Sequence, residues 1–462
     1  MTLFKVLTLC QRIGAILTNI SYSQLTEFGT RRLFANNSKG IDSMKRFAAG
    51  IVLSLGIFQI TAYAGGSSSA GGTEAFSIVG ANNQFGNALV KTVAQAALEK
   101  DPNQNVFISP LSAAMALQML LNGSDSKSAT YVQIANVLGL SDVNLVTINS
   151  SSKALLAQLQ NQAGQTRAVP FTLTIANSLW GNSDHLFAFN PNFVSSLLNS
   201  YQAKALTADF NSQEALDAIN HWASQESNGK ISNIIDAPTL SALDFSLLNA
   251  TYFKANWETQ FNPNETSHAQ SFVQGDRTSV SVEMMNAHLY GYSETPRAQV
   301  MEMPYSGGSV SMVVVLPKAG STLNDVIEDA QGPLSPGFWA QRVQARAQIA
   351  QFSMPKIKMS YQVNLIPTLR TLGVSAVFGD GADLSLLGGV NEKIGLVQQN
   401  SFLKVDEAGT EAAAVTIIGG GAGAVAPIGN IPVMRVDHPF LLSIVDRASG
   451  SVLFAGVISS PR

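Results

Sequence analysis

The chain has 462 residues, 46% apolar, 13% charged and 8% aromatic, with 37 Gly, 17 Pro and one Cys. This is the composition of a foldable globular protein and excludes disordered, collagen-like and disulfide-stapled classes. With 28 Lys and Arg against 31 Asp and Glu the net charge is −3, so no basic surface for a nucleic-acid backbone is expected.

Residues 44–64 read as a secretory signal. Met44-Lys45-Arg46 precedes an apolar run from Phe47 to Ile60, and Thr61-Ala62-Tyr63-Ala64 puts small residues where a signal peptidase reads them. The run is shorter than the roughly 20 residues needed to span a bilayer. The expectation is therefore a start at Met44, residues 1–43 as a misassigned extension, and cleavage before Gly65 to give a secreted or periplasmic protein with no membrane attachment. Residues 1–64 carry seven basic residues (Lys5, Arg12, Arg31, Arg32, Lys39, Lys45, Arg46) and two acidic ones (Glu27, Asp42), so their removal lowers the net charge by five, from −3 to −8. Cys10 leaves with them, and the exported protein has no thiol for a disulfide, a metal or catalysis. A Gly/Ser-rich tether over 65–74 leads into residues 75–462, where no long polar linker or fixed-period repeat divides the chain, and one large domain is expected.

In chain order, Phe85, Leu89, Val90, Val93 and Ala97 recur at three and four, predicting a helix over Asn82 to Leu98. A second helix starts at Pro110-Leu111-Ser112, with Ser109 as its natural N-cap and Pro where its missing N–H is not needed. Ala215 to Gln225, stopped near Gly229, and Asn364 to Leu372, stopped by Gly373, read as two more. Strands are predicted at Thr172 to Trp180, Ser246 to Lys254, Ser309 to Leu316, Ala347 to Met354, Leu396 to Val405, Pro439 to Asp446 and Ser451 to Val457. Several are apolar on both faces, as in strands covered on both sides, and the last two form a hairpin through Arg447-Ala448-Ser449-Gly450.

Hydrolytic and metal chemistry leave no trace. There is no Gly-x-Ser-x-Gly, and His185, His221, His268, His288 and His438 include no i, i+4 pair, so no metal site and no cofactor are expected. Asp380-Gly381-Ala382-Asp383 lacks the ligand spacing of a calcium loop and reads as a turn. Gly421-Ala422-Gly423-Ala424-Val425-Ala426 imitates a dinucleotide fingerprint, but Pro427, Gly429 and Pro432 forbid the helix that must follow it.

The segment from Val405 to Ala424 stands out. Thr410, Ala412, Ala414, Thr416 and Ile418 share one parity and are small or apolar, while Glu411 lies on the other. Taken alone, this is either a flexible Gly/Ala loop or a segment suited to two states, loop and inserted strand. The residues Glu407-Ala-Gly-Thr-Glu-Ala-Ala-Ala414 resemble the reactive-loop hinge of an inhibitory serpin. Asn105-Val-Phe-Ile-Ser-Pro-Leu-Ser112, Ile219-Asn-His-Trp222, Asn228-Gly-Lys-Ile231, Asn249-Ala-Thr-Tyr-Phe-Lys-Ala-Asn-Trp257, Val282-Glu-Met-Met285, Glu302-Met-Pro-Tyr305, Ser311-Met-Val-Val-Val-Leu-Pro317 and Asp437-His-Pro-Phe440 are similar to that family in the same order.

The resemblance implies an α+β serpin fold: about three β-sheets, eight to nine helices and an exposed reactive-centre loop over about 407–431. It implies a monomer that is not an enzyme but a suicide substrate, trapping an acylated target serine protease in a covalent complex by inserting the cleaved loop into the main sheet. The hinge would be Glu407, Gly409, Thr410, Glu411, Ala412, Ala413 and Ala414. Ser109, Ser112 and Asn249 would form a polar cluster beneath the sheet, joined at Gln399, where the family usually has His, with Trp257 near the mouth where the loop enters. Each of these is equally an ordinary cap, core hydrogen bond or core aromatic. Family spacing from Glu407 places the scissile bond at Gly423-Ala424, whereas counting back from Pro439-Phe440 gives Ile428; the hinge-side count leaves a window from Ala422 through Val425 to Ala426. Its small uncharged residues suit an elastase-like or subtilisin-like protease. The alternatives are a non-inhibitory serpin-like binding protein and a cross-class inhibitor of papain-like cysteine proteases.

Overall fold

The computed structural model describes residues 76–461 apart from 165–170, 184–186, 330–337, 339–347, 389–392 and 412–430. The expected signal, tether and scissile window, and Ala412, Ala413 and Ala414 of the hinge, lie outside the described residues.

Among these residues are ten α-helices: α1 (Ile78–Lys100), α2 (Pro110–Leu121), α3 (Ala129–Val137), α4 (Leu145–Gly164), α5 (Pro191–Tyr201), α6 (Gln213–Glu226), α7 (Ala237–Ser241), α8 (Leu323–Ile327), α9 (Ile366–Thr371) and α10 (Ser385–Gly388). The strands are β1 (Val106–Ile108), β2 (Thr172–Asn182), β3 (Lys204–Ala208), β4 (Phe245–Asn256), β5 (Ser267–Val273), β6 (Ser279–Glu294), β7 (Ala298–Pro304), β8 (Val310–Pro317), β9 (Gln348–Pro355), β10 (Ile357–Asn364), β11 (Ile394–Asp406), β12 (Gly409–Thr410), β13 (Val433–Arg435), β14 (Phe440–Asp446) and β15 (Val452–Ile458). The fold is α+β, and each predicted helix and strand is present within a few residues of its expected limits.

Capping and burial explain the helices next to the site. The α1 stripe of Phe85, Leu89, Val90 and Val93 is buried, and Ser77 caps its first turn. Every residue of α2 is buried, so this helix can exist only inside a core, and Ser109 Oγ accepts the Ser112 N–H at its start. Helix α4, not anticipated from sequence, hides its apolar face behind a polar Ser150-Ser151-Ser152 stretch, yet buries Ile148, Leu155, Leu156 and Leu159 at seven-, eight- and eleven-residue offsets.

A nine-stranded sheet contains the order β1-β15-β14-β8-β7-β6-β9-β13, with β5 also on β6. Its long strand β6 pairs with β5 up to Met284, with β9 from Met284 to Tyr292 and with β7 from Tyr292 to Glu294, so it passes from β5 to β7 across the stretch that contains Gly291. Gly291 has φ +123°, and a Cβ there would meet the Glu302 carbonyl oxygen at 2.0 Å, so glycine is required where the sheet turns. The described residues thus form two sheets where about three were expected, because β6 is long enough to pair with both β5 and β7 and joins their strands into one sheet.

That second sheet has six strands in the order β10-β11-β12-β4-β2-β3. One face carries Leu247, Phe253, Ala255, Val397, Leu403 and Val405 of the main core; the other carries Leu248, Ala250 and Leu396, packed in one cluster with Ile219 and Trp222 of α6. Strands covered on both sides need apolar residues at both parities, hence the continuous apolar runs of the sequence.

Candidate functional site

The two central strands of the six-stranded sheet, β4 and β11, are parallel and pair directly from Phe245/Ile394 to Thr251/Ser401. At the end of this ladder the Thr251 and Ser401 hydroxyls lie 3.1 Å apart. Beyond it the strands part, and the fork is plugged at its mouth by the two-residue strand β12, antiparallel to both: Thr410 faces Val405 on one side and Ala255 on the other. Gly409 and Thr410 of the expected hinge thus occupy a gap between two strands that close below them.

Each residue of the plug is held for a visible reason. Gly409 runs at φ +154°, and a Cβ on it would meet the Ala255 carbonyl oxygen at 2.1 Å and Asn256 Cα at 2.6 Å, so only glycine fits. The Thr410 hydroxyl is 2.6 Å from that of Tyr305 in the core, and burial pushes the Tyr305 phenol pKa well up, keeping it neutral. Tyr305 stacks on Trp257 at 4.5 Å between ring centroids. Trp257 donates its backbone N–H to the Ala408 carbonyl (2.9 Å) and its indole N–H to that of Asp406 (3.0 Å), which places this expected residue at the mouth of the fork.

Glu407 is nearly buried where β11 turns into the hinge. Burial acts to raise its pKa, but a hydrogen bond from the Thr266 hydroxyl (2.7 Å) and the Lys356 ammonium (2.9 Å) prevail and hold it below the usual carboxylate range. Lys356 is shared with Glu283 at 2.8 Å; desolvation opposes its charge, yet the two carboxylates raise its pKa. Glu411, the last described hinge residue, pairs with Lys230 at 2.6 Å.

Below the fork lies a second polar group. Asn177 on β2, Asn249 on β4 and Gln399 on β11 are aligned in one row across three neighbouring strands. The Gln399 amide accepts from the Ser109 N–H (2.9 Å) and donates to the Ser109 carbonyl (3.1 Å) and to Asn249 Oδ1 (3.3 Å). Ser109 Oγ donates to the Leu453 carbonyl at 2.7 Å, Ser112 Oγ donates to Asn177 Oδ1 at 3.0 Å, and the Asn249 amide donates to the same oxygen. The structure therefore brings Ser109, Ser112, Asn249 and Gln399 together and adds Asn177, which sequence reasoning missed although it is the one amide in the Thr172 to Trp180 run. The cluster ties β11 and β4 to the start of α2 with neutral groups only. Gln399→Ala strands the Ser109 N–H and carbonyl in the core and should lower native-state stability by about 2–4 kcal/mol, read as an earlier thermal transition. Among the described residues no group of three or more His, Cys, Asp or Glu could hold a metal.

A two-residue strand between β4 and β11 thus lies above a polar cluster that joins both strands to α2. The sequence model of the serpin (serine protease inhibitor) family matches residues 80–461. The chain belongs to the serpin family. This serpin is 31% identical over 380 residues to the leukocyte elastase inhibitor of Sus scrofa, covering 79% of this chain and 95% of that protein. Its fold is similar to that of tengpin, a thermophilic serpin, in the native state, with TM-score 0.73, 28% identity and coverage of 86% of this chain and 97% of tengpin. It is equally similar to Arabidopsis AtSerpin1 in its native stressed conformation, with TM-score 0.73, 26% identity and coverage of 84% and 99%.

Proposed function

We propose that this serpin is a suicide-substrate inhibitor of serine proteases that traps its target by completing the insertion begun at β12. The observation that carries the reading is the two-residue strand at the mouth of the β4–β11 fork. It already has the antiparallel pairing a longer inserted strand would need, and it lies directly above a stretch the two central strands leave open.

The register supports the reading. Continued downward, it would bring Ala412 between Phe253 and Leu403, Ala414 between Thr251 and Ser401, Thr416 between Asn249 and Gln399, and Ile418 between Leu247 and Val397. Each match is chemically fitting. Ala412 meets the bulkiest pair, Ala414 parts the Thr251 and Ser401 hydroxyls without adding bulk, the Thr416 hydroxyl meets the amide row whose contact insertion must break, and Ile418 meets aliphatics. On the other parity Glu411 would lie between Lys254 and Lys404.

In the proposed cycle the protease serine attacks the carbonyl of Gly423, forms an ester with it and releases the amino group of Ala424. Insertion then carries the esterified protease away from the mouth of the fork. The fourteen residues from Thr410 to Gly423 span roughly 45 Å at 3.3 Å per residue, about the breadth of a small protein. The small uncharged window from Ala422 to Ala426 selects a protease with a shallow apolar primary pocket, elastase-like or subtilisin-like. Export under the signal at 44–64 belongs to the same reading, and exported protein should begin at Gly65.

Incubation with elastase, subtilisin, trypsin and a papain-type enzyme, followed by denaturing electrophoresis and mass spectrometry, tests it. Elastase or subtilisin should give a covalent adduct with a cut between Ala422 and Ala426. Loop cleavage without an adduct across the whole panel would contradict it.

A further inference from the structure

At the outer edge of the fork the carboxylate of Glu411 is fixed by a residue from another element. Lys230 follows α6 in the turn Ser227-Asn228-Gly229-Lys230, and its ammonium lies 2.6 Å from Glu411 Oε1 and 5.4 Å above the ring of Phe402 on β11. The side chain of Glu411 is only 12% exposed and that of Lys230 35%, so the pair is partly withdrawn from solvent. The second carboxylate oxygen of Glu411 is buried without a well-formed hydrogen bond, and the Tyr252 phenol is near enough for burial first and Glu411 second to raise the phenol pKa.

The backbone at this point is unusual. Glu411 has φ +51°, in the left-handed region that a residue with a side chain enters only at a cost of about 1–2 kcal/mol. Its N–H still completes the ladder, donating to the Lys404 carbonyl at 2.9 Å. The strand β12 ends where Glu411 takes this left-handed conformation, with its carboxylate on Lys230. For the chain to continue down the fork, φ of Glu411 must return to the extended region, and its carboxylate must exchange Lys230 for the flanking pair Lys254 and Lys404.

We infer that Lys230 is a positioning residue for the hinge: by holding the Glu411 carboxylate it keeps that residue turned out of the sheet and sets the rate at which insertion begins. The inference rests on the insertion reading above and adds to it a named barrier. Because Glu411 meets lysines both before and after the exchange, Lys230 governs the timing of insertion more than its end state. The Lys230 end of the pair is partly exposed, so salt weakens the pair and release should quicken as ionic strength rises.

The test uses the whole protein. The loop is cut rapidly by excess protease, and insertion is followed by stopped-flow tryptophan fluorescence, to which Trp257 at the mouth of the fork and Trp222, packed on the closed β4–β11 ladder, contribute. Lys230→Gln and Glu411→Gln should each speed insertion about 3- to 10-fold, the double variant should be no faster than the faster single one, and Lys230→Arg should keep the parent rate. Raising salt should accelerate the parent and leave the Gln variants nearly unchanged. Insertion at equal rates and equal salt dependence in parent and variants would overturn the role of Lys230 alone. Absence of any insertion in the parent would overturn the insertion reading, and this inference with it.

Discussion

Thr410→Arg should leave the loop cleavable but reduce covalent complex to below detection, turning the inhibitor into a substrate. Thr410 is 1% exposed and its hydroxyl meets the fully buried Tyr305 phenol, so a guanidinium there would face a neutral phenol in place of a counter-charge, with no route to water through the core. Burying an unpaired cation costs several kcal/mol, enough to make insertion lose against hydrolysis of the acyl-enzyme, since each 1.4 kcal/mol is tenfold in the partition. The measurement is the fraction of protease found in adduct at a fixed molar ratio. Complex formation at parental efficiency would contradict the burial of this position during trapping.

The second large effect is expected at Glu407. Glu407→Lys sets a second ammonium against Lys356 and loses the acceptor for the Thr266 hydroxyl. With the Lys356 end partly exposed, the loss should be about 2–4 kcal/mol, seen as a lower thermal midpoint. The milder Glu407→Gln isolates the charge. Because the folded pKa of Glu407 is depressed, its contribution is fully present above the ordinary carboxylate pKa and is lost as pH falls through the folded value. The stability difference between parent and Glu407→Gln should thus be constant at neutral pH and shrink only in acid. A difference that grew on acidification would contradict the assignment.

Much of this site was legible in the sequence, and what was missed has one cause. The Ser109 cap and the apolar strands carry local signals: a serine before a proline-led helix, runs apolar on both faces. Asn177, Thr266, Tyr305 and Lys356 carry none. Their roles arise from register, since Asn177 matters only because β2 sets it beside Asn249, and Asn249 only because β4 lies parallel to β11, 150 residues away at Gln399. The depth of the plug was hidden for the same reason. Nothing in Glu407-Ala-Gly-Thr-Glu411 says that pairing ends at Thr410, where the next residue takes a left-handed conformation and pairs with Lys230 from another element. Helix α4 escaped because its serine-rich middle masks an apolar spacing that only the buried set reveals.

A parallel pair of central strands forced apart at one end by two residues of a third is an arrangement with more pairing still to gain. Thermal unfolding of the intact protein compared with the same protein nicked once within 412–430 measures that gain most directly. The account predicts that the nicked form melts far higher than the intact one; equal melting temperatures, with the nick verified by mass, would contradict it.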